Sequence, residues 1–430
     1  MISRREVSAC EVLDAHLQRI EGVNPNLNAV VQLAQDARER ARAADRQLAR
    51  GEEPVGVLHG VPFTAKDNIE TAGIVTAAGA RERRDVIPAL DGTVVSRMRA
   101  AGAILLGKTN CPEWGSGLET ENDLYGRTNN PHDLARTPGG SSGGEAAIVA
   151  AGGSPCGLGS DSGGSARIPA HFCGVCALKP TSGLVPVSGV IDHEGPIGSI
   201  SDPRTQIGAF ARSVEDLVAM LDVLAGPDGR DGGVAPVSLR DPRLTEIGGL
   251  RIAVFTDGGI ASPTSATVAA VGNAAAALGG EGATVDQALL PGDGHAITLE
   301  IWASYQGRTS SVDLYQLLRR WDAYRAEMLA FMARYDAILC PVYPTPAPLH
   351  GQTAGAGMSN PDRFGAISYT TPFSLVGAPC VVLPWSASPE GLPIGIQLVA
   401  RPWRDDVALA LAGALEARRE PGSVPSVTSA

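Results

Sequence analysis

The sequence predicts an α/β fold with a β-sheet covered by helices on both faces. Three observations carry that prediction. Beyond residue 50 the chain is a succession of short apolar runs of strand length, set off by glycine and proline. Segments with helical spacing alternate with those runs, the order that places helices on both sides of a sheet. The composition, 44% hydrophobic and 19% charged over 430 residues, is that of a globular chain with a large core, and it excludes disordered, fibrous and collagen-like proteins. No segment repeats with a period of about 20 to 50 residues, which excludes a repeat array.

Residues 3–22 and 33–50 carry apolar residues at helical spacing with Arg and Glu outward, and Gly22 and Gly51 are their expected stops. Strand-like runs follow at 55–61, 103–106, 148–151 and 156–159, with a helix expected at 92–101. Residues 226–249, rich in Gly, Pro and Asp, read as a surface excursion. The alternation then resumes with a strand at 251–255, an Ala-rich helix at 265–278, a long helix at 313–334 and a strand at 337–340. The proline-crowded run 341–348 is expected to be irregular, and a strand at 395–400 and a helix at 405–419 close the chain. Of 19 aromatic residues, 13 fall between Trp302 and Trp403, so this third of the chain forms either a locally aromatic core or the wall of a pocket.

The formal charge of −11 is scattered, without the basic stripe that a phosphate backbone requires, so no nucleic-acid partner is expected. No apolar run is long enough to cross a bilayer, and the opening residues lack the apolar stretch of a secretion signal. A cytoplasmic protein without membrane association is expected. Seven dispersed cysteines, an odd number, argue against a disulfide framework. Cys173 and Cys176 form a CxxC beside His171, but no second pair completes a tetrahedral metal site, and two small hydrophobes are the simpler reading.

Two glycine-rich patterns mislead. Gly102-Ala-Ile-Leu-Leu-Gly107-Lys108-Thr109 has the letters of a phosphate loop, yet Ala-Ile-Leu-Leu is a buried-strand sequence that would turn apolar side chains toward the anion. Gly139-Gly140-Ser141-Ser142-Gly143 matches a nucleophile elbow, but none of His171, His193, His295 and His350 has a setting that marks it as the base.

One set of spaced blocks accommodates these regions together. It comprises Gly60-Val-Pro-Phe-Thr-Ala-Lys66-Asp67-Asn68, Pro138-Gly-Gly-Ser141-Ser142-Gly-Gly-Glu145, Gly159-Ser-Asp161-Ser-Gly-Gly-Ser165-Ala-Arg167-Ile-Pro169 and Gly174-Val-Cys-Ala-Leu-Lys179-Pro180-Thr181. With 24 residues from Ser141 to Ser165 and 99 from Lys66 to Ser165, the chain strongly resembles the amidase signature family of serine hydrolases. The resemblance runs from the first helix through Thr181 and resumes at Gly391-Leu-Pro-Ile-Gly-Ile-Gln397. The opening helix begins a little late for that family, as if a few N-terminal residues were trimmed or mis-started.

The resemblance implies a single α/β/α domain over 1–430 around a large twisted mixed β-sheet. Helices occupy 1–50, the catalytic core 55–225, a loosely matched region over the active site 230–370, and a final strand and helix 371–430. It implies cleavage of a C–N bond in an amide or carbamate (urethane), or of an ester, with Ser165 as nucleophile, Ser141 as relay after a cis peptide bond from Gly140, and Lys66 as base. Backbone N–H groups of Ser162, Gly163, Gly164 and Ser165 would form the oxyanion hole. Ser142, Asp161 and Arg167 are expected to support this set, and Lys179 to be structural. The apolar run before Lys66 agrees with a desolvated lysine able to lose its proton. Gly140, Trp302, Tyr305, Tyr343, Phe364 and Phe373 are the candidates for an apolar substrate pocket. No metal or cofactor is implied, and the expected partner is a small-molecule amide or carbamate, with a homodimer left open. The alternatives are one component of an amidotransferase, working with partner chains, and a non-catalytic binding protein of the same fold.

Overall fold

Eleven strands form one sheet in the computed structural model, which describes residues 1–305, 310–353 and 364–419, together with 424, 425 and 427. In chain order they are β1 (Val30–Leu33), β2 (Pro62–Lys66), β3 (Ile104–Thr109), β4 (Cys156–Asp161), β5 (Cys176–Lys179), β6 (Gln206–Ala211), β7 (Arg251–Val254), β8 (Thr284–Gln287), β9 (Ala337–Pro341), β10 (Cys380–Ala387) and β11 (Pro393–Ala400). Their order across the sheet is β1-β3-β2-β4-β6-β5-β10-β11-β9-β7-β8. Pairing is parallel for β3-β2-β4 and β9-β7-β8 and antiparallel elsewhere, so the sheet is mixed.

Every residue of β2, β3 and β4 is buried, as strands covered on both faces must be. Strand β9 shows how the faces divide. Ala337 and Leu339 point into one apolar cluster and Ile338 and Cys340 into another. Helices α3 (Thr93–Ala100), α6 (Val214–Leu224), α7 (Ser265–Gly280) and α11 (Asp405–Glu416) cover the first face. The opposite face is covered by α1 (Ala9–Leu27), α2 (Ala37–Ala49), α4 (Gly143–Ala150) and α5 (Arg167–Cys173) at one end, and by α8 (Gly294–Tyr305), α9 (Ser311–Met332) and α10 (Thr371–Val376) at the other. The result is a three-layered α/β/α molecule. Among the described residues no helix is long and apolar enough to cross a membrane.

Several elements depart from the sequence expectation. Helix α1 starts at Ala9, where Ser8 and Glu11 form a reciprocal capping box, and runs through Gly22 and Pro25 to end at Asn28, whose left-handed backbone (φ 49°) turns the chain into β1. Residues 55–61 are turns with Val55 and Val57 exposed, and the strand begins only at Pro62. The run expected as a strand at 148–151 belongs to α4, every residue of which is buried. The region 230–370 is less a cover than an edge, since it supplies β7, β8 and β9.

Candidate active site

Lys66 ends β2, and Ser160 and Asp161 end β4, its parallel neighbour. Parallel pairing brings both carboxyl ends to one edge of the sheet, the usual place for a ligand crevice in open α/β folds. The loops leading into α4 and α5 deliver Ser141, Ser142 and Ser165 to that edge.

Lys66 is fully buried, and its Nζ lies 2.6 Å from Ser141 Oγ and 2.9 Å from Ser160 Oγ. Asn68 Nδ2 donates to Ser160 Oγ and to the Ile191 carbonyl, both at 3.4 Å. Burial pushes the Lys66 ammonium down from its usual range to about 8, against the opposing charges of Cys111, Asp161 and Glu145. The Gly140–Ser141 peptide bond is cis. Ser142 faces elsewhere: its hydroxyl donates to the Ser160 carbonyl at 3.1 Å and accepts from the Ser160 N–H at 3.3 Å, while its own N–H donates to the Ser165 carbonyl at 3.0 Å. The two adjacent serines, indistinguishable by type, therefore separate into one that meets the lysine and one that stitches the loops.

The segment 161–167 wraps around the Asp161 carboxylate, which accepts from the N–H groups of Gly164 (2.8 Å), Ala166 (3.1 Å) and Arg167 (3.2 Å). Gly164 N–H is thus turned inward and leaves the expected oxyanion-hole set, which contracts to Ser162, Gly163 and Ser165. Both Asp161 and Arg167 have no solvent-exposed side-chain surface and pair at 2.9 Å, which excludes a surface ion pair. Burial alone would raise the Asp161 carboxyl, but the Arg167 charge and hydrogen bonds outweigh it and hold it at about 2. Arg167 also donates to the Thr370 carbonyl, Gln397 Oε1 and Ser374 Oγ at 2.8–2.9 Å. The glycines next to the nucleophile candidate are crowded by protein rather than left open for substrate. A Cβ on Gly163 would lie 2.9 Å from Trp302, and one on Gly164 (φ 127°) 2.7 Å from Thr370 Oγ1.

A cleft of about 390 Å3 opens over Ser141, Ser160, Ser162, Gly163 and Ser165. Trp302 and Phe364 line it, with ring centroids 5.8 Å apart. Tyr343 and Phe373 lie instead in the core, Tyr343 edge-on to Phe172 at 5.0 Å and Phe373 with no exposed surface, because both follow the inward faces of their elements. Gly140 is also away from the cleft, its Cα packed on the backbone of Gly117 and Leu118. Tyr305 ends α8, and its side chain lies outside the described residues. The cleft walls that sequence reasoning missed are Trp114, held at a positive φ of 56°, the hairpin residues Ile191 and His193, and the turn Asp202, Arg204 and Thr205. No spaced motif marks these positions. His171 bonds backbone carbonyls in the core, at Gly395 and Thr345. Cys173 closes α5 and Cys176 opens β5, fully buried, with burial pushing both thiols up. Among the described residues no group of three or more His, Cys, Asp or Glu is arranged to hold a metal ion. The phosphate-loop look-alike is β3 itself, with Lys108 buried against the Ile69 carbonyl and Thr71.

Fold and cleft together define an α/β enzyme with its site at the carboxyl edge of a large mixed sheet. The family model described as Amidase matches residues 11–310 and 294–409, and the chain belongs to the amidase signature family, whose enzymes act on amide C–N bonds. It is 33% identical to the amidase-family component of the glutamyl-tRNA(Gln) amidotransferase of Carboxydothermus hydrogenoformans, covering 97% of this chain and 96% of that one. Among solved structures it is similar to a chain from a vestigial protein complex bearing on the origins of an s-triazine catabolic enzyme (TM-score 0.86, 33% identity, 97% and 96% coverage). A 6-aminohexanoate cyclic dimer hydrolase is similar at TM-score 0.83 and 29% identity, with 98% and 96% coverage.

Proposed function

We propose that this chain hydrolyses an amide C–N bond through an acyl-enzyme on Ser165. The observation that carries the reading is the 2.6 Å contact between a fully buried Lys66 and Ser141, at the floor of the cleft that Ser165 lines. Neutral Lys66 takes the Ser141 proton as Ser141 takes that of Ser165, and Ser165 Oγ attacks the carbonyl carbon. The N–H groups of Ser162, Gly163 and Ser165 receive the developing oxyanion. The proton returns through the same pair to the leaving nitrogen, the amine departs, and water repeats the sequence to release the acid.

The aromatic wall of Trp114, Trp302 and Phe364 supports an aryl or alkyl amide or carbamate as substrate, with the isolated chain active. A second reading is favoured by the name of the curated relatives at 33–34% identity, and more strongly than the first. It makes this chain the amide-cleaving component of an assembly that transfers the nitrogen to glutamyl-tRNA(Gln). A fluorophosphonate should label Ser165 in either case, and mass spectrometry locating the adduct on Ser141 or Ser142 would remove the proposed chemistry. Amine or ammonia release by the isolated chain separates the two settings. Turnover of aryl anilides, fatty amides, short amides or aryl carbamates supports a free hydrolase, and activity confined to glutamine and dependent on partner chains supports the transferase assembly.

A further inference from the structure

The ladder between β4 and β6 pairs Asp161 with Gln206, and the next residue beyond each strand end is Ser162 on one side and Thr205 on the other. The hydroxyls of Ser162 and Thr205 are hydrogen-bonded to each other. Thr205 Oγ1 also lies 2.6 Å from Asp202 Oδ2, and an ionised carboxylate only accepts, so the single Thr205 proton goes to Asp202. Ser162 must then donate to Thr205, which gives the chain one direction: Ser162 O–H to Thr205 Oγ1, Thr205 O–H to Asp202. Asp202 is itself fixed, because its Oδ1 accepts from Arg204 Nε at 2.9 Å and from the Arg204 N–H at 3.2 Å. Arg204 is only 2% exposed.

This matters because of what surrounds it. Between Asp161 and Ser165 stand Ser162 and two glycines, so Ser162 holds the only side chain through which that stretch can be anchored. Asp161 secures the Gly164 N–H and Thr370 Oγ1 secures the Gly163 carbonyl at 2.6 Å, but neither fixes the peptide that carries the Ser162 N–H. A freely rotating Ser162 hydroxyl would also sweep the cleft next to Ser165.

Resting on the proposed acyl-enzyme chemistry, we infer that Asp202 and Thr205 are positioning residues for the oxyanion loop, acting through the hydroxyl of Ser162. The three residues form a carboxylate-anchored chain that holds the Ser162 and Gly163 N–H groups where the oxyanion develops. They act on the transition state rather than on substrate binding, since the anchor turns away from the substrate.

The test uses the whole chain and a fluorophosphonate, whose tetrahedral adduct draws on the same N–H donors. Thr205→Val should lower the maximal labelling rate of Ser165 about tenfold with the half-saturating probe concentration unchanged, and Thr205→Ser should restore it. Ser162→Ala should show the same loss, and the double variant should lose no more than the larger single effect, because one chain is being cut twice. Should Thr205→Val fail to fold, Ser162→Ala alone carries the measurement. Wild-type labelling rates in both single variants, or losses that multiply in the double variant, would overturn the inference. Absence of Ser165 labelling in the unaltered chain would instead overturn the acyl-enzyme reading beneath it.

Discussion

Lys66 is the residue on which the proposed chemistry turns, and its environment makes a quantitative demand. Burial disfavours the ammonium and brings it to about 8, so roughly a tenth of the molecules carry the neutral amine at pH 7 and most do above pH 8. Only the neutral amine accepts a proton. The labelling rate of Ser165 should therefore climb from pH 6.5 and level off above pH 9, with a midpoint near 8. A histidine base would place the rise near 6.5. His193, the one histidine among the cleft-lining residues, should be replaceable by Ala with that limb intact; a limb that vanishes with His193 would displace Lys66 as base. Lys66→Ala and Ser141→Ala should each slow labelling by several orders of magnitude, and the double variant should be no slower than the worse single one. At this scale the lysine and the serines could be read in the sequence, because motif spacing carries them. Ser160, Thr205 and Asp202 could not, because their roles arise from strand ends meeting across the sheet.

Helix α5 and the loop before it depend on one buried ion pair. Removing Arg167 while keeping Asp161 would strand a carboxylate in the interior, a change that costs about 3–5 kcal/mol. Arg167→Met should lower unfolding free energy by about that amount in urea melts at pH 7. The pH dependence follows from the sign of the shift. In the native chain Asp161 sits at about 2, below its unfolded value, so the stabilisation persists until pH falls through that value. Without Arg167, burial is unopposed and the folded-state carboxyl rises above the unfolded one, so acidification relieves the variant. The gap between variant and native chain should narrow at pH 5. A gap under 1 kcal/mol at pH 7, or one that does not change with pH, would show that the pair does not carry the loop. Elements were legible where one face is apolar, as in α7 and α9, and misread where burial is complete. In α4, Ala146-Ala-Ile-Val-Ala is buried all round, so no periodicity distinguishes it from a central strand. Gly22 suggested a stop, but the backbone turns only at Asn28.

The sheet order shows how the whole molecule is joined. Strands β1 to β6 come from residues before 212 and β7 to β11 from residues after 250, and the two sets share one ladder, β5 against β10, pairing Ala177 with Val382, Leu178 with Val381 and Lys179 with Cys380. A sequence cannot display such a pairing between distant segments, which is why 230–370 read as a cover over the site rather than as the far edge of the same sheet. The seam is reinforced away from the ladder. Asp405 at the start of α11 accepts from the Thr181 N–H at 2.9 Å and from its hydroxyl at 2.5 Å, Glu416 at the end of α11 accepts from the Val214 N–H, and Arg167 reaches Thr370, Ser374 and Gln397. One apolar cluster also draws on both sets, from Leu178 and Leu217 to Val381, Ile396 and Leu411. The excursion at 226–249 is therefore a covalent link between parts already held by burial. A site-specific protease sequence inserted between the exposed Gly248 and Gly249 should be cleavable in the folded protein. The two fragments should then co-elute as one species with undiminished Ser165 labelling, because the apolar area across the seam, at about 25 cal/mol per Å2, outweighs the lost tether. Fragments that separate on gel filtration in the absence of denaturant would mean that the single ladder and its flanking bonds are too weak to hold the site together without the chain.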